Sequence, residues 1–187
     1  MSGSIKRAFG LWVASQAPGL HVYADHLANA KHSYPSCTVT ELRYSLSRFG
    51  CGQRDYTVRA PDTGFVTASG KMIHADTTYR LTISAPSDEQ HPGSEIVDEF
   101  LERLTDAVMR TGLDREPLVL LDTEVDPPTP FKLDRMTFEN TQPVPPDTSG
   151  EPFLYRGALT LRISRTIPLE EPVECVMEKI HVQELGG

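Results

Sequence analysis

Tyr79-Arg80-Leu81-Thr82-Ile83-Ser84, halted by Pro86 and followed after a polar turn by a helical pattern running to Gly112, is the stretch that decides the fold. Tyr79, Leu81 and Ile83 alternate with Arg80, Thr82 and Ser84, the two-residue period of a half-buried strand. Ile96, Val97, Phe100, Leu101, Leu104, Ala107 and Val108 then recur at helical spacing, and Glu95, Asp98, Glu99, Glu102, Arg103, Asp106 and Arg110 take the opposite side. The helix begins near Ser94-Glu95, where acidic residues suit its dipole, and ends at Arg110 and Gly112. Strand and helix together form a scaffold, and neither carries a catalytic signature.

Outward from this stretch the chain is rich in strands. Ile5, Ala8, Phe9, Trp12 and Val13 predict a short helix capped by Ser4 and closed before Pro18-Gly19. Leu20 to Ala30 is ambiguous between helix and strand. Cys37 to Leu46 reads as a strand introduced by Tyr34-Pro35, and Asp55 to Arg59 with Phe65 to Ile73 read as two more around the turn Pro61-Asp62-Thr63-Gly64. Pro117 to Val125 suggests a buried strand, and Leu133 to Asn140 a weaker one. Proline removes a backbone donor and restrains the residue before it, so Asp126 to Pro130 and Gln142 to Pro152 are expected to be loops or arms. Tyr155 to Thr166 and Val173 to Val182 close the chain as a hairpin. The expected class is α+β: one domain with a largely antiparallel or mixed sheet, one long amphipathic helix, a short N-terminal helix and Pro-rich loops.

A chain of 187 residues can bury one good core, and its 24% charged and 39% hydrophobic residues are ordinary for a folded protein. No apolar run approaches the roughly 20 residues of a membrane helix, and Met1 to Gly10 lacks the pattern of a signal peptide, so a cytoplasmic protein is expected. The formal charge of -8 argues against general nucleic-acid binding. Arg43, Arg48, Arg54 and Arg59 in one segment and Arg156, Arg162 and Arg165 in another could still form basic patches facing DNA or an acidic neighbour. The plainer alternative is solvated arginines paired with nearby acids, each pair contributing little.

The residues that could carry chemistry lack the arrangement it needs. Gly64 and Gly70-Lys71 do not form a phosphate loop, because the spacing is wrong and Met72 stands where a hydroxyl should hold magnesium. His21, Asp25, His26 and His32 do not bring two imidazoles to one face of a helix or strand. There is no GxSxG elbow. No catalytic residue, cofactor or metal site is therefore assigned. Asp122, Glu124 and Asp126 alternate and would project from one face of a strand, either to hold a divalent cation or, as preferred here, as an acidic edge facing arginines of a neighbouring chain. Cys37, Cys51 and Cys175 fit neither a zinc site nor a disulfide framework, and Cys51, between two glycines, is the candidate for an intermolecular bridge.

Taken in order, the N-terminal helix, Tyr34-Pro35 leading into Cys37 to Leu46, the strand hairpin, and Tyr79 to Ser84 feeding an acidic helix resemble the tail terminator proteins of long-tailed bacteriophages. The resemblance covers Ser4 to Val125, and the last third of the chain departs from the family's compact pattern. It implies a structural virion protein and no enzyme: a ring of identical subunits, usually six, that caps the tail tube and docks the tail to the head connector. Its implied partners are copies of itself and tail tube, sheath and head-connector proteins, with DNA passing through unbound. Another neck, sheath or baseplate component is the alternative, and a ligand-binding or metal-dependent hydrolytic domain is the second alternative. The Arg43 to Arg59 segment and the two proline-rich segments are the expected contacts.

Overall fold

In chain order, the computed structural model has α1 (Ser2–Gln16), β1 (His21–Tyr23), β2 (Ser36–Arg48), β3 (Arg54–Ala60), β4 (Gly64–Ala85), α2 (Gly93–Thr111), β5 (Val119–Asp122), β6 (Thr129–Lys132), β7 (Arg135–Asp147) and β8 (Leu154–Leu169). It describes residues 2–24, 33–48, 54–60, 64–88, 90–111, 118–149 and 152–169. The class is α+β, with two helices and a mixed sheet. The residues group into two compact units: 1–45 with 76–165, and 46–75 with 166–187.

In the first unit the sheet order is β1-β2-β4-β8-β7. β1 runs parallel to β2, with His21 opposite Ser36, and β7 runs antiparallel to β8, with Met136 opposite Ile163. β5 and β6 form a separate antiparallel pair. In the second unit β3 lies antiparallel to the first half of β4, from Arg54 opposite Gly70 to Ala60 opposite Gly64. The strands expected separately at Phe65 to Ile73 and Thr78 to Ala85 are one continuous β4.

Alternation places Tyr79, Leu81, Ile83 and Ala85 of β4 in the core, beside Cys37 and Val39 of β2 and Leu159, Leu161 and Ile163 of β8. Both helices cover this face. From α1, Ile5, Ala8, Phe9 and Val13 turn inward, and the Phe9 ring stacks on Tyr79 at 5.0 Å. The helix starts before the expected cap Ser4 and ends where Gly19 takes φ 89°, a left-handed conformation that glycine adopts without a Cβ penalty. From α2, Val97, Phe100, Leu104 and Val108 are buried. Its first turn is organised from outside: the Pro92 carbonyl accepts the N–H of Glu95 at 3.0 Å and the Ser87 hydroxyl accepts that of Gly93 at 3.0 Å.

Two glycines let α2 sit this low. A Cβ on Gly157 of β8 would lie 2.7 Å from Leu101 Cδ1 and 2.8 Å from Val97 Cγ1. One on Gly93 would lie 2.6 Å from the Tyr155 ring and 2.8 Å from the Ala85 carbonyl oxygen.

The structure corrects the expectation of loops at Asp126 to Pro130 and Gln142 to Pro152: Thr129–Lys132 is a strand, and the weaker strand expected at Leu133 to Asn140 runs on as Arg135–Asp147. β7 holds Pro143, Pro145 and Pro146, and it can do so because it is the last strand of the sheet. An edge strand has one row of backbone groups that pairs with nothing, so a missing donor on that side breaks no ladder bond. The register also shifts between Val144 and Asp147, which absorbs the remaining proline. β5 is likewise not wholly buried: Leu120 and Asp122 turn inward, and Val119 and Leu121 outward. Val173 to Val182, expected as the partner of β8, lies outside the described residues.

Candidate interaction surface

The acidic triplet expected on one face does not exist as such. β5 ends at Asp122, and Glu124 and Asp126 lie in the turn beyond it. The Asp122 side chain is fully buried, facing α1. There Arg7 donates to both its oxygens, with Nη2 to Oδ2 at 2.6 Å and Nε to Oδ1 at 2.9 Å, and Glu124 adds a looser contact to Arg7 at 3.4 Å. The fork of a guanidinium matches a carboxylate, so this pair ties α1 to β5. The hydrogen bond from Arg7 holds the Asp122 carboxyl below its ordinary range. Asp126 is exposed.

The C-terminal arginines are also partly committed within the chain. Arg156 pairs with Asp147, whose carboxylate also accepts the backbone N–H of Ser149 at 3.0 Å and is held below its usual range by the Ser149 bonds first. Arg162 meets Glu139 at 3.3 Å in an exposed pair between β8 and β7. Arg165 lies over the Phe131 ring at 5.7 Å.

Arg43, by contrast, is exposed on β2 with no ion pair among the described residues. Arg54 and Arg59 stand on β3 opposite Gly70 and Phe65, and Arg48 ends β2. The side chains of these last three lie outside the described residues, as does Cys51 altogether. Cys37 is fully buried, which pushes its thiol up to about 12.

The surface that sequence reading missed is the side of the sheet away from the helices. Because odd-numbered positions of β2, β4 and β8 face the core, even-numbered ones face the other way. Ala158 and Thr160 of β8 are nevertheless buried, and the exposed apolar side chains lie on β2. Leu42 and Tyr44 of β2 are each 45% exposed, and Thr78, Arg80 and Thr82 of β4 are half-buried. Glu41 and Tyr44 both act through space on the Tyr79 phenol, which lies on the helix-covered side. Burial is the larger influence on that phenol and raises its pKa. The Arg80 Nε is shielded from water and has no acceptor among the described residues. The signal was present in β2: its apolar residues sit at odd positions through Cys37 and Val39, then at even positions from Leu42, a change of side within one strand.

On the helix side, a groove of about 470 Å³ runs between α2 and the β7 and β8 edge, walled by Val97, Leu101, Pro143, Val144 and Tyr155. A second of about 450 Å³ shares Tyr155 with Pro86, Pro152 and Phe153. His21 lines neither, and Asp25, His26 and His32 lie outside the described residues. Among the described residues no three His, Cys, Asp or Glu side chains gather as a metal ion would need. Among the described residues no helix is long and apolar enough to cross a membrane. No protein-family model matches the sequence, and no curated protein matches it.

Proposed function

We propose that this chain is a structural component of a long-tailed bacteriophage virion, of the tail-terminator kind. It assembles with copies of itself into a ring, six-membered in the family it resembles, that caps the tail tube and meets the head connector. Its work is self-association and docking, without bond-making chemistry. The observation that carries the reading is the apolar surface left uncovered on β2, where Leu42 and Tyr44 are each 45% exposed while the helices cover the core-facing side of the sheet. The resemblance in layout from Ser4 to Val125 supplies the partner class.

The arms expected from the proline-rich segments have no place in this reading, because β7 is paired along its length with β8. Faces carry the contacts instead. Native mass measurement of the purified protein, alone and mixed with tail tube, tests the proposal. A ring-sized species, or binding to tube ends, is expected. A protein that stays monomeric at high concentration and ignores the tube would refute it.

A further inference from the structure

We propose that the open edge of β2 pairs antiparallel with the same edge of a second copy of this chain, centred on Leu42, so that Glu41 of each copy faces Arg43 of the other. The contact goes beyond the proposed function and does not rest on it, because a two-fold pairing joins two subunits and closes no ring.

The first argument is the backbone. β2 has 13 residues, and β1, three residues long, pairs with it only at Ser36 to Thr38. The other neighbour of β2 is β4, so past Thr38 its β1 side meets no further strand among the described residues. Parity says which groups stand on that side. The His21 N–H donates to the Pro35 carbonyl at 3.0 Å, so odd-numbered residues of β2 turn their backbone groups this way, and Arg43 and Ser45 present theirs. Such a row of donors and acceptors is a template for another strand. The far edge of the sheet is guarded by Pro143, Pro145 and Pro146 of β7, whereas β2 contains no proline.

The second argument is the side chains along that edge. Leu42 and Tyr44 are each 45% exposed and Arg43 between them is exposed too, so this part of β2 is open on both of its faces. Antiparallel pairing of the edge with itself sets odd residues against odd ones. Centred on Leu42, it places Leu42 against Leu42 in a non-hydrogen-bonded pair, the closer kind, with Tyr44 of the other copy on the diagonal. In the hydrogen-bonded pairs to either side, Glu41 faces Arg43.

Charge selects this register. Centring on Arg43 would put two arginines directly opposite, and centring on Glu41 two glutamates, and like charges so placed are destabilising. Arg43 has no ion pair among the described residues and gains one here. Glu41 already interacts within the chain, and a carboxylate accepts more than one donor.

The test is sedimentation velocity on the full chain, with a concentration-dependent dimer expected. Arg43→Glu should weaken it by about tenfold or more, and so should Glu41→Arg. An equal mixture of the two variants should dimerise again, because every facing pair is then opposite in sign. In a background of Cys51→Ser and Cys175→Ser, mild oxidation should cross-link Leu42→Cys chains and leave Tyr44→Cys chains apart, since only the central residue faces itself. Should Glu41→Arg unfold by circular dichroism, Arg43→Glu and the cross-link, both at exposed positions, decide the matter. Undiminished association of Arg43→Glu, no rescue between folded variants, or a cross-link at position 44 in place of 42 overturns the inference. Ring-sized species that persist in Arg43→Glu without a cross-link at 42, or an unaltered monomer that binds tail tube, overturn it and leave the proposed function standing. A dimer cross-linked at 42 that never grows larger and ignores tail tube upholds it and counts against the ring.

Discussion

The two faces of β4 are made from alternate residues of one six-residue stretch and meet opposite fates. Tyr79, Leu81 and Ile83 are fully buried under α1 and α2, whereas Arg80, Thr82 and Ser84 remain half-buried on the other side. On β2 the contrast is sharper, since Val39 is 1% exposed and Leu42, only three residues on, is 45% exposed. Strand geometry explains the alternation and leaves open which apolar residue gains a cover. Burial under a helix holds the subunit together, whereas an apolar side chain on the uncovered face adds little to folding and remains available for association.

Four substitutions press on that contrast. Leu81→Ala should be the most damaging, lowering stability by about 4 kcal/mol through lost burial and the cavity left behind, as measured by urea unfolding. Gly93→Ala comes next, at about 3 kcal/mol, because the new methyl would press on the Ala85 carbonyl and the Tyr155 ring. If it proved neutral, the close seating of α2 would be wrong.

The third substitution acts through pH. The Asp122 carboxyl is held below its ordinary range by Arg7, so it stabilises the fold above the unfolded value near 3.9, and that contribution fades as pH falls through the lower folded value. Asp122→Asn should lower the melting temperature at pH 7 and flatten its decline in acid below about pH 4. A variant melting curve that still follows the parent in acid would remove Asp122 from that role. Leu42→Ala should do least, changing monomer stability by no more than about 0.5 kcal/mol. A large loss there would mean the open face is covered within the subunit.

The helical spacing of α2 and the alternation of β4 were legible because each is a local period written in consecutive residues. The candidate surface was only half legible. The change of side on β2 after Val39 is visible in the sequence, yet it becomes informative only once one side is known to be covered. The acidic triplet failed as a prediction because the strand ends at Asp122, and alternation has no meaning in the turn that follows. The proline-rich segment failed because proline forbids a donor, not a strand, and an edge position needs fewer donors.

By itself the sequence determined the mixed α+β class, the core-facing residues of β4 and the apolar stripe of α2, since these depend on backbone periods and on which side chains avoid water. Tertiary structure alone decided that Arg7 would find Asp122, 115 residues away, that β7 would be an edge, and that Leu42 and Tyr44 would stay uncovered. Pairings of that kind are set by where distant segments come to lie together, and no local pattern encodes that.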